Sequence, residues 1–156
     1  KFLFNHLIKE KLKNKYEKNK ENATLGYKLE KVLPETGKVN RGIFKIENSY
    51  ITGIEEIFNV DKINLAEKNL ILGDMCSMNI FALFPETINK LDEILKQFKE
   101  KYKNDRKIEC LLPVKLSNLI KNKEIVMKIY PTDDRWYGIT NPEEEIIVRE
   151  KLKENL

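Results

Sequence analysis

The chain has 156 residues, 41 % of them hydrophobic, which is enough to bury a contiguous core and predicts one domain over residues 1–156. No apolar run approaches the roughly 20 residues of a bilayer-spanning helix, and Lys1 to Lys13 carry charge where a signal peptide is apolar, so a cytoplasmic protein without membrane attachment is expected. The net charge of +4 comes from 29 Lys and Arg against 25 Asp and Glu, only four of them Arg, and the lysines interleave with glutamates, which argues against a nucleic-acid-binding face.

Taken in chain order, Phe4, Ile8, Leu12 and Tyr16, with Leu3 and Leu7 beside them, form one apolar stripe and predict a helix over residues 2–18. A chain that opens directly on a helix reads as a piece of a longer protein. Three runs rich in β-branched and aromatic residues follow, 23–33, 39–47 and 50–58, separated by PETG and Asn48-Ser49; they predict strands, the last two as a hairpin. Residues 60–70 are polar and read as a loop. The nearly unbroken apolar run 76–84 predicts a strand covered on both faces.

Pro85 stands at the favoured first position of a helix carrying Ile88, Leu91, Leu95, Phe98 and Tyr102 at helical steps. A shorter helix is expected over Leu111 to Lys121, a strand over 124–130, and a closing helix after Asn141-Pro142. The fold class is therefore α/β, a mixed β-sheet with packed helices.

Cys76 and Cys110 read as reduced core thiols. His6 lies on the first helix with no Cys, Asp or His at ligand spacing and receives no metal or catalytic role. The six glycines are too widely spaced for any phosphate-cradling loop, and no Ser/His or Cys/His nucleophile can be assembled.

The most specific stretch is PTDDRWYGITNPEEEIIVREKL, residues 131–152. It resembles the end of the catalytic domain of sugar-nucleotide pyrophosphorylases, a W-x-D-[IV]-G-T-P-E-like segment followed by a helix, through Trp136, Ile139, Thr140 and Asn141-Pro142-Glu143. VNRGIFKIENSYITGIEE is similar to that family's hairpin with its R-G or Y-G pair. CSMNIFALFPETINKL is similar to its next strand and helix, and IECLLPVKLSNLIKN to its G-E-x-x-L-T-D-x-x-x-x-L helix, with Glu109 and Leu112 retained. The elements occur in the family's order from Ala23 to Leu152, and the branch with S-M-N strands and T-D-D-x-W-[FY]-G-[VI]-T endings is bacterial.

The resemblance implies a nucleotide-diphospho-sugar transferase-like, Rossmann-like three-layer fold, of which this chain would be the C-terminal, sugar-side portion. It implies a parent nucleotidyltransferase that joins a sugar 1-phosphate to a nucleoside triphosphate with release of pyrophosphate. Mg²⁺ would be the cofactor. The isolated chain is expected to be inactive, since no nucleotide loop is present in it. The rival reading is a non-catalytic α/β binding or regulatory module related to the transferases.

Carried over residue by residue, the resemblance makes Gly42 a site of close approach to the sugar, Glu56 an acceptor of sugar hydroxyls, and Asn79 a partner of the sugar ring. The Lys-Pro that commonly follows the glutamate is Ile57-Phe58 here. Structural alternatives stand beside each: a strand glycine, an exposed hairpin charge, an amide satisfied by backbone. Glu55 and Glu56 alternate to opposite strand faces and so form no acid/base pair. Tyr137-Gly138 occupies the place of the family's metal-binding aspartate, which leaves Asp133 and Asp134 as the oxygen ligands available for Mg²⁺ or, alternatively, as a locally bonded Thr-Asp-Asp turn. Trp136 and Tyr137 read either as a stacking pair or as core.

Overall fold

The structure, a computed structural model, describes residues 2–13, 21–34, 37–138 and 144–153. Among these, α1 (Phe2–Lys13), β1 (Glu21–Lys28), α2 (Leu29–Val32), β2 (Val39–Glu47), β3 (Tyr50–Val60), β4 (Met75–Ser77), β5 (Phe81–Ala82), α3 (Pro85–Lys101), α4 (Leu112–Lys121), β6 (Val126–Thr132) and α5 (Glu144–Lys153) follow in order. The six strands form one mixed sheet in the order β4-β2-β3-β6-β1-β5, in which only β1 and β6 run parallel. Mixed α/β architecture is thus observed. No helix among the described residues is long and apolar enough to cross a membrane.

The β2–β3 hairpin has a physical cause in its turn. Asn48 and Ser49 both take positive φ, 50° and 68°, between the paired Glu47 and Tyr50. Two left-handed residues in a two-residue loop match the twist of the flanking strands, and asparagine tolerates that conformation better than most side chains. α3 starts at Pro85, whose missing N–H falls where a helix has no carbonyl to receive one.

The sheet carries a separate apolar cluster on each face. On one side Ile43 of β2, Val60 of β3, Tyr27 of β1 and Cys76 of β4 pack with Leu29, Val32 and Leu33 and with Leu65 and Leu70 of the 61–74 loop. On the other, Phe44, Ile51, Ile54, Met127 and Ile129 surround Leu116, Leu119 and Ile120 of α4. Alternation along the strands explains the division, since neighbours such as Ile43 and Phe44 must point to opposite faces. α4 is fastened to β3 by a buried hydrogen bond from Ile54 N–H to Ser117 Oγ, 2.8 Å.

β4 pairs with β2 on one side and β1 on the other, so the strand pairings run round a ring that closes where β3 meets β6 at Tyr50 and Lys128. α1 is pinned to the sheet by His6, which is buried. Its Nε2–H donates to the Glu21 carbonyl at 2.7 Å, and its Nδ1 meets the Tyr130 hydroxyl at 2.9 Å.

Several expectations need correction. The strand expected over 23–33 ends at Lys28, because Leu29, Val32 and Leu33 stand at helical spacing and bury together only if the chain turns into α2. The strand expected over 76–84 is broken: β4 and β5 flank Met78 to Ile80, where Asn79 adopts φ 57°. The Ile80 carbonyl there is taken by Thr24 Oγ1 at 2.8 Å and by Leu25 N–H at 3.3 Å. Cys76 is core, but Cys110 is half-buried on the segment before α4. The first helix is described to Lys13, so the expected 14–18 extension, like Ile139 to Glu143, lies outside the described residues.

Candidate functional site

Three strands place Glu56, Gly42 and Ser77 side by side. Gly42 of β2 is registered against Glu56 of β3 on one flank and Ser77 of β4 on the other. A Cβ at Gly42 would lie 3.2 Å from Ile54 Cγ2, 3.3 Å from Glu56 Oε2 and 3.4 Å from Pro113 Cβ. The absent side chain therefore makes room for the Glu56 carboxylate and for the first turn of α4 to close over the strand.

Glu56 is half-buried, and among the described residues its carboxylate accepts no hydrogen bond and forms no ion pair. Burial pushes its pKa above the ordinary carboxylate range, and the charge of Arg41 works against that rise. Glu55, one residue earlier, points the other way and pairs with Lys45 at 3.4 Å near the surface. The two glutamates are separated by the strand's alternation, as the sequence predicts.

β4 stops at Ser77, so Arg41 and Asn40 of β2 lose the neighbour that Gly42 still has. Asn79 lies in the break after β4, exposed, with its backbone N–H held by Ser77 Oγ at 3.0 Å and its side-chain amide unbonded among the described residues. Asn22 and Thr24 of β1 hold the chain on either side of β5: Thr24 bonds the Ile80 carbonyl, Asn22 Oδ1 accepts from Phe84 N–H at 3.0 Å, and Asn22 Nδ2 donates to the Val126 carbonyl at 3.2 Å.

Arg41 is the residue here that sequence reasoning missed. Its Nη1 donates to the Asn40 carbonyl and its Nη2 to the Val32 carbonyl, both at 2.9 Å. Its Nε is buried without a hydrogen-bond partner. Trp136 packs over the guanidinium, with Arg41 Cζ 5.9 Å from the ring centroid, and a Cβ on Gly138 would run into that ring. Gly138 therefore lets the indole fold back onto Arg41. Burial lowers the pKa of Arg41, while Cys76 and Glu56 oppose the change; the Cys76 thiol is itself pushed up to about 12 by burial. The available signal was that Arg41 is one of only four arginines and directly precedes Gly42.

The acids proposed as metal ligands lie beyond the C-terminal ends of the parallel pair β1 and β6, where Tyr27 and Thr132 are in register. Asp133 pairs with Lys28 at 3.1 Å, and Asp134 Oδ2 accepts from Thr132 Oγ1 at 2.7 Å. Burial, and then the Asp134 carboxylate, raise the pKa of the Tyr27 phenol. Both acids are exposed, and no group of three His, Cys, Asp or Glu that could hold a metal occurs among the described residues. Tyr137 lies against Lys151 of α5, with Nζ 5.8 Å from its ring centroid.

A separate open groove of roughly 370 Å³ lies between α3 and the C-terminal end of α4, lined by Asn89, Lys90, Glu93, Ile94, Leu119 and Glu124. Lys90 and Glu124 neutralise one another across it at 2.8 Å. Gly42 meets α4 at its other end, at Pro113.

No protein-family model matches the chain, and no curated protein matches it at a significant level of sequence similarity. The site therefore has to be read from its own chemistry.

Proposed function

We propose that this chain is the sugar-side portion of a nucleotidyltransferase with a nucleotide-diphospho-sugar transferase-like fold, acting on a sugar 1-phosphate and a nucleoside triphosphate with release of pyrophosphate. One observation carries the reading. A half-buried carboxylate, Glu56, accepts no hydrogen bond among the described residues and stands in a row with Gly42 and Ser77, two residues before the exposed Asn79, whose side-chain amide is unbonded among the described residues. Buried polar groups are normally satisfied within the protein, so a half-buried acceptor left without a protein donor suits a ligand that supplies one. Sugar hydroxyls are such donors, and an amide that both donates and accepts suits a ring bearing several of them.

The chemistry asked of this chain is binding and orientation. A sugar-phosphate oxygen attacks the α-phosphorus of the nucleotide, forming a P–O bond as pyrophosphate leaves, and such a transfer needs positioning and charge neutralisation more than an activated side chain. Bound Mg²⁺ would supply part of that neutralisation. Asp133 and Asp134 are carboxylates of the kind a hard cation takes, exposed on one turn; the remaining ligands would come from elsewhere in the parent enzyme and from the phosphates.

Two measurements test the reading. Addition of a sugar 1-phosphate should shift the backbone amide resonances of Gly42, Glu56 and Asn79 more than those lining the α3–α4 groove. Incubation of the 156-residue chain with nucleoside triphosphate, sugar 1-phosphate and Mg²⁺ should release no pyrophosphate above background. Binding at the groove alone, or no binding at all, would leave the non-catalytic module as the better description. Turnover by the chain alone would overturn its assignment as one portion of the enzyme.

A further inference from the structure

We propose that residues 134–138 form a strap poised to open: closed, it lays Trp136 over the Arg41 guanidinium, and open, it returns that guanidinium to water. β6 ends at Thr132, and the described chain runs on to Gly138 without secondary structure. From Asp134 to Gly138 no backbone–backbone hydrogen bond is formed among the described residues; the Asp134 N–H turns back to Thr132 Oγ1 at 3.2 Å. The contacts that hold the segment down are made by side chains. At its base Asp133 pairs with Lys28 at 3.1 Å, with the Asp133 side chain 87 % exposed; further along, Trp136 meets Arg41 and Tyr137 meets Lys151. Exposed ion pairs and surface cation–π contacts are each weak fastenings, and a stretch without backbone bonds or a fully buried side chain opens locally at little cost.

The closed position carries a penalty of its own. Among the described residues, Arg41 Nε is the one buried side-chain nitrogen or oxygen without a hydrogen-bond partner. The guanidinium cannot readily turn to find one, because its terminal nitrogens donate to the Asn40 carbonyl in β2 and to the Val32 carbonyl at the end of α2. A buried N–H deprived of water with no acceptor in exchange is destabilising, and hydration removes the penalty. Closing thus gains the indole contact, with Arg41 Cζ 5.9 Å from the ring centroid, and strands one donor; the two effects are opposite in sign and comparable in size. Trp136 is 36 % exposed even in the closed position. Gly138 permits that position, since a Cβ there would run into the indole. A cation fixed in orientation by two carbonyls is thereby covered or presented by one short segment.

Trp136 is the single tryptophan of the chain, so its fluorescence reports the strap alone. In the ¹⁵N-labelled wild-type chain, relaxation dispersion should detect exchange on the lid-opening timescale at the Trp136 indole N–H, the Gly138 amide and the Arg41 Nε–H, while the Thr24 and Met127 amides of the β1–β6 ladder stay quiet. Gly138→Ala, which displaces the indole, should hold the strap open: Trp136 emission shifts to longer wavelength, acrylamide quenches it more strongly, and the Arg41 Nε–H exchanges faster with water, with far-UV circular dichroism unchanged. Flat dispersion at all three groups in the wild type would overturn the proposal and leave the segment a fixed cover. Wild-type emission and quenching in a folded Gly138→Ala chain would overturn it too, because the indole would then not be seated against Gly138. Should that variant fail to fold, the wild-type dispersion decides by itself.

Discussion

Two buried polar regions of the sheet lie a few residues apart and are built on opposite terms. On β1, Asn22 and Thr24 are as buried as any leucine in the core, and each spends its hydrogen-bonding capacity on backbone: Phe84 N–H, the Val126 carbonyl and the Ile80 carbonyl. Around the end of β4, Arg41 Nε on one face of the sheet and the Glu56 carboxylate on the other are drawn partly out of water and left without hydrogen-bond partners among the described residues. The first region is architecture, since it fixes where the chain departs from strand geometry. The second keeps hydrogen-bonding capacity that no described residue uses. Burial alone does not separate the two; satisfaction does.

The contrast is open to experiment at each end. Asn22→Ala should be the most damaging change, because it strands both the Phe84 N–H and the Val126 carbonyl in the core. A loss of about 2–3 kcal/mol in urea unfolding is expected, and a loss under about 0.5 kcal/mol would mean that Asn22 is not the staple described. Ser117→Ala removes the one buried bond that ties α4 to the Ile54 N–H, and about 1–2 kcal/mol should go with it in the same assay.

At Glu56 the expected sign is different. Burial holds its folded-state pKa above the ordinary 4.5, so folding favours the protonated form. The resulting stabilisation is present in full at acidic pH, below the unfolded value, and is lost as pH rises through the folded value. Wild type should therefore lose stability relative to Glu56→Gln as pH is raised from about 4, and run parallel to it once the carboxyl is fully ionised. The opposite slope would show that attraction to Arg41 outweighs burial. The smallest effect is reserved for Asn79→Gly. Glycine accepts the 57° φ without strain and Asn79 is exposed, so stability should stay within about 0.5 kcal/mol while sugar binding falls.

The hairpin, α3 and α4 were legible because local chemistry decides them: Asn48-Ser49 sets the turn, Pro85 sets a helix start, and apolar periodicity sets the faces. The break in the apolar run 76–84 was not legible. An unbroken run reports that residues are buried, not that the backbone stays extended. The groups that stabilise the break, Thr24 and Asn22, act from 56 and 62 residues away. Of the candidate site, the pairing of Gly42 with Glu56 follows from hairpin register, and the opposite facing of Glu55 and Glu56 from alternation. The unpartnered state of Arg41 Nε could not be read from sequence, since it depends on where α2 ends and where Trp136 folds. Leu29 to Val32 carried a helical spacing that a strand-rich context concealed.

The ring of strand pairings is shortest between β3 and β6, one registered pair against two in each of the β1–β4 and β2–β4 joints. β2 and β3 are laced together along most of their length, and β1 and β6 over seven registered pairs, but β3 meets β6 only at Tyr50 and Lys128, with Ile129 N–H donating to the Ser49 carbonyl at 3.0 Å. A closed circuit yields at its weakest link, and here that link lies at the tip of the hairpin, away from Gly42 and Glu56. Thermal breathing of the sheet should thus be concentrated at a seam: the Ile129 amide exchanges its hydrogen ahead of the β1–β6 ladder, and the hairpin swings about its own base while the Glu56–Gly42–Ser77 row stays in register. The molecule can loosen at one end without disturbing the other.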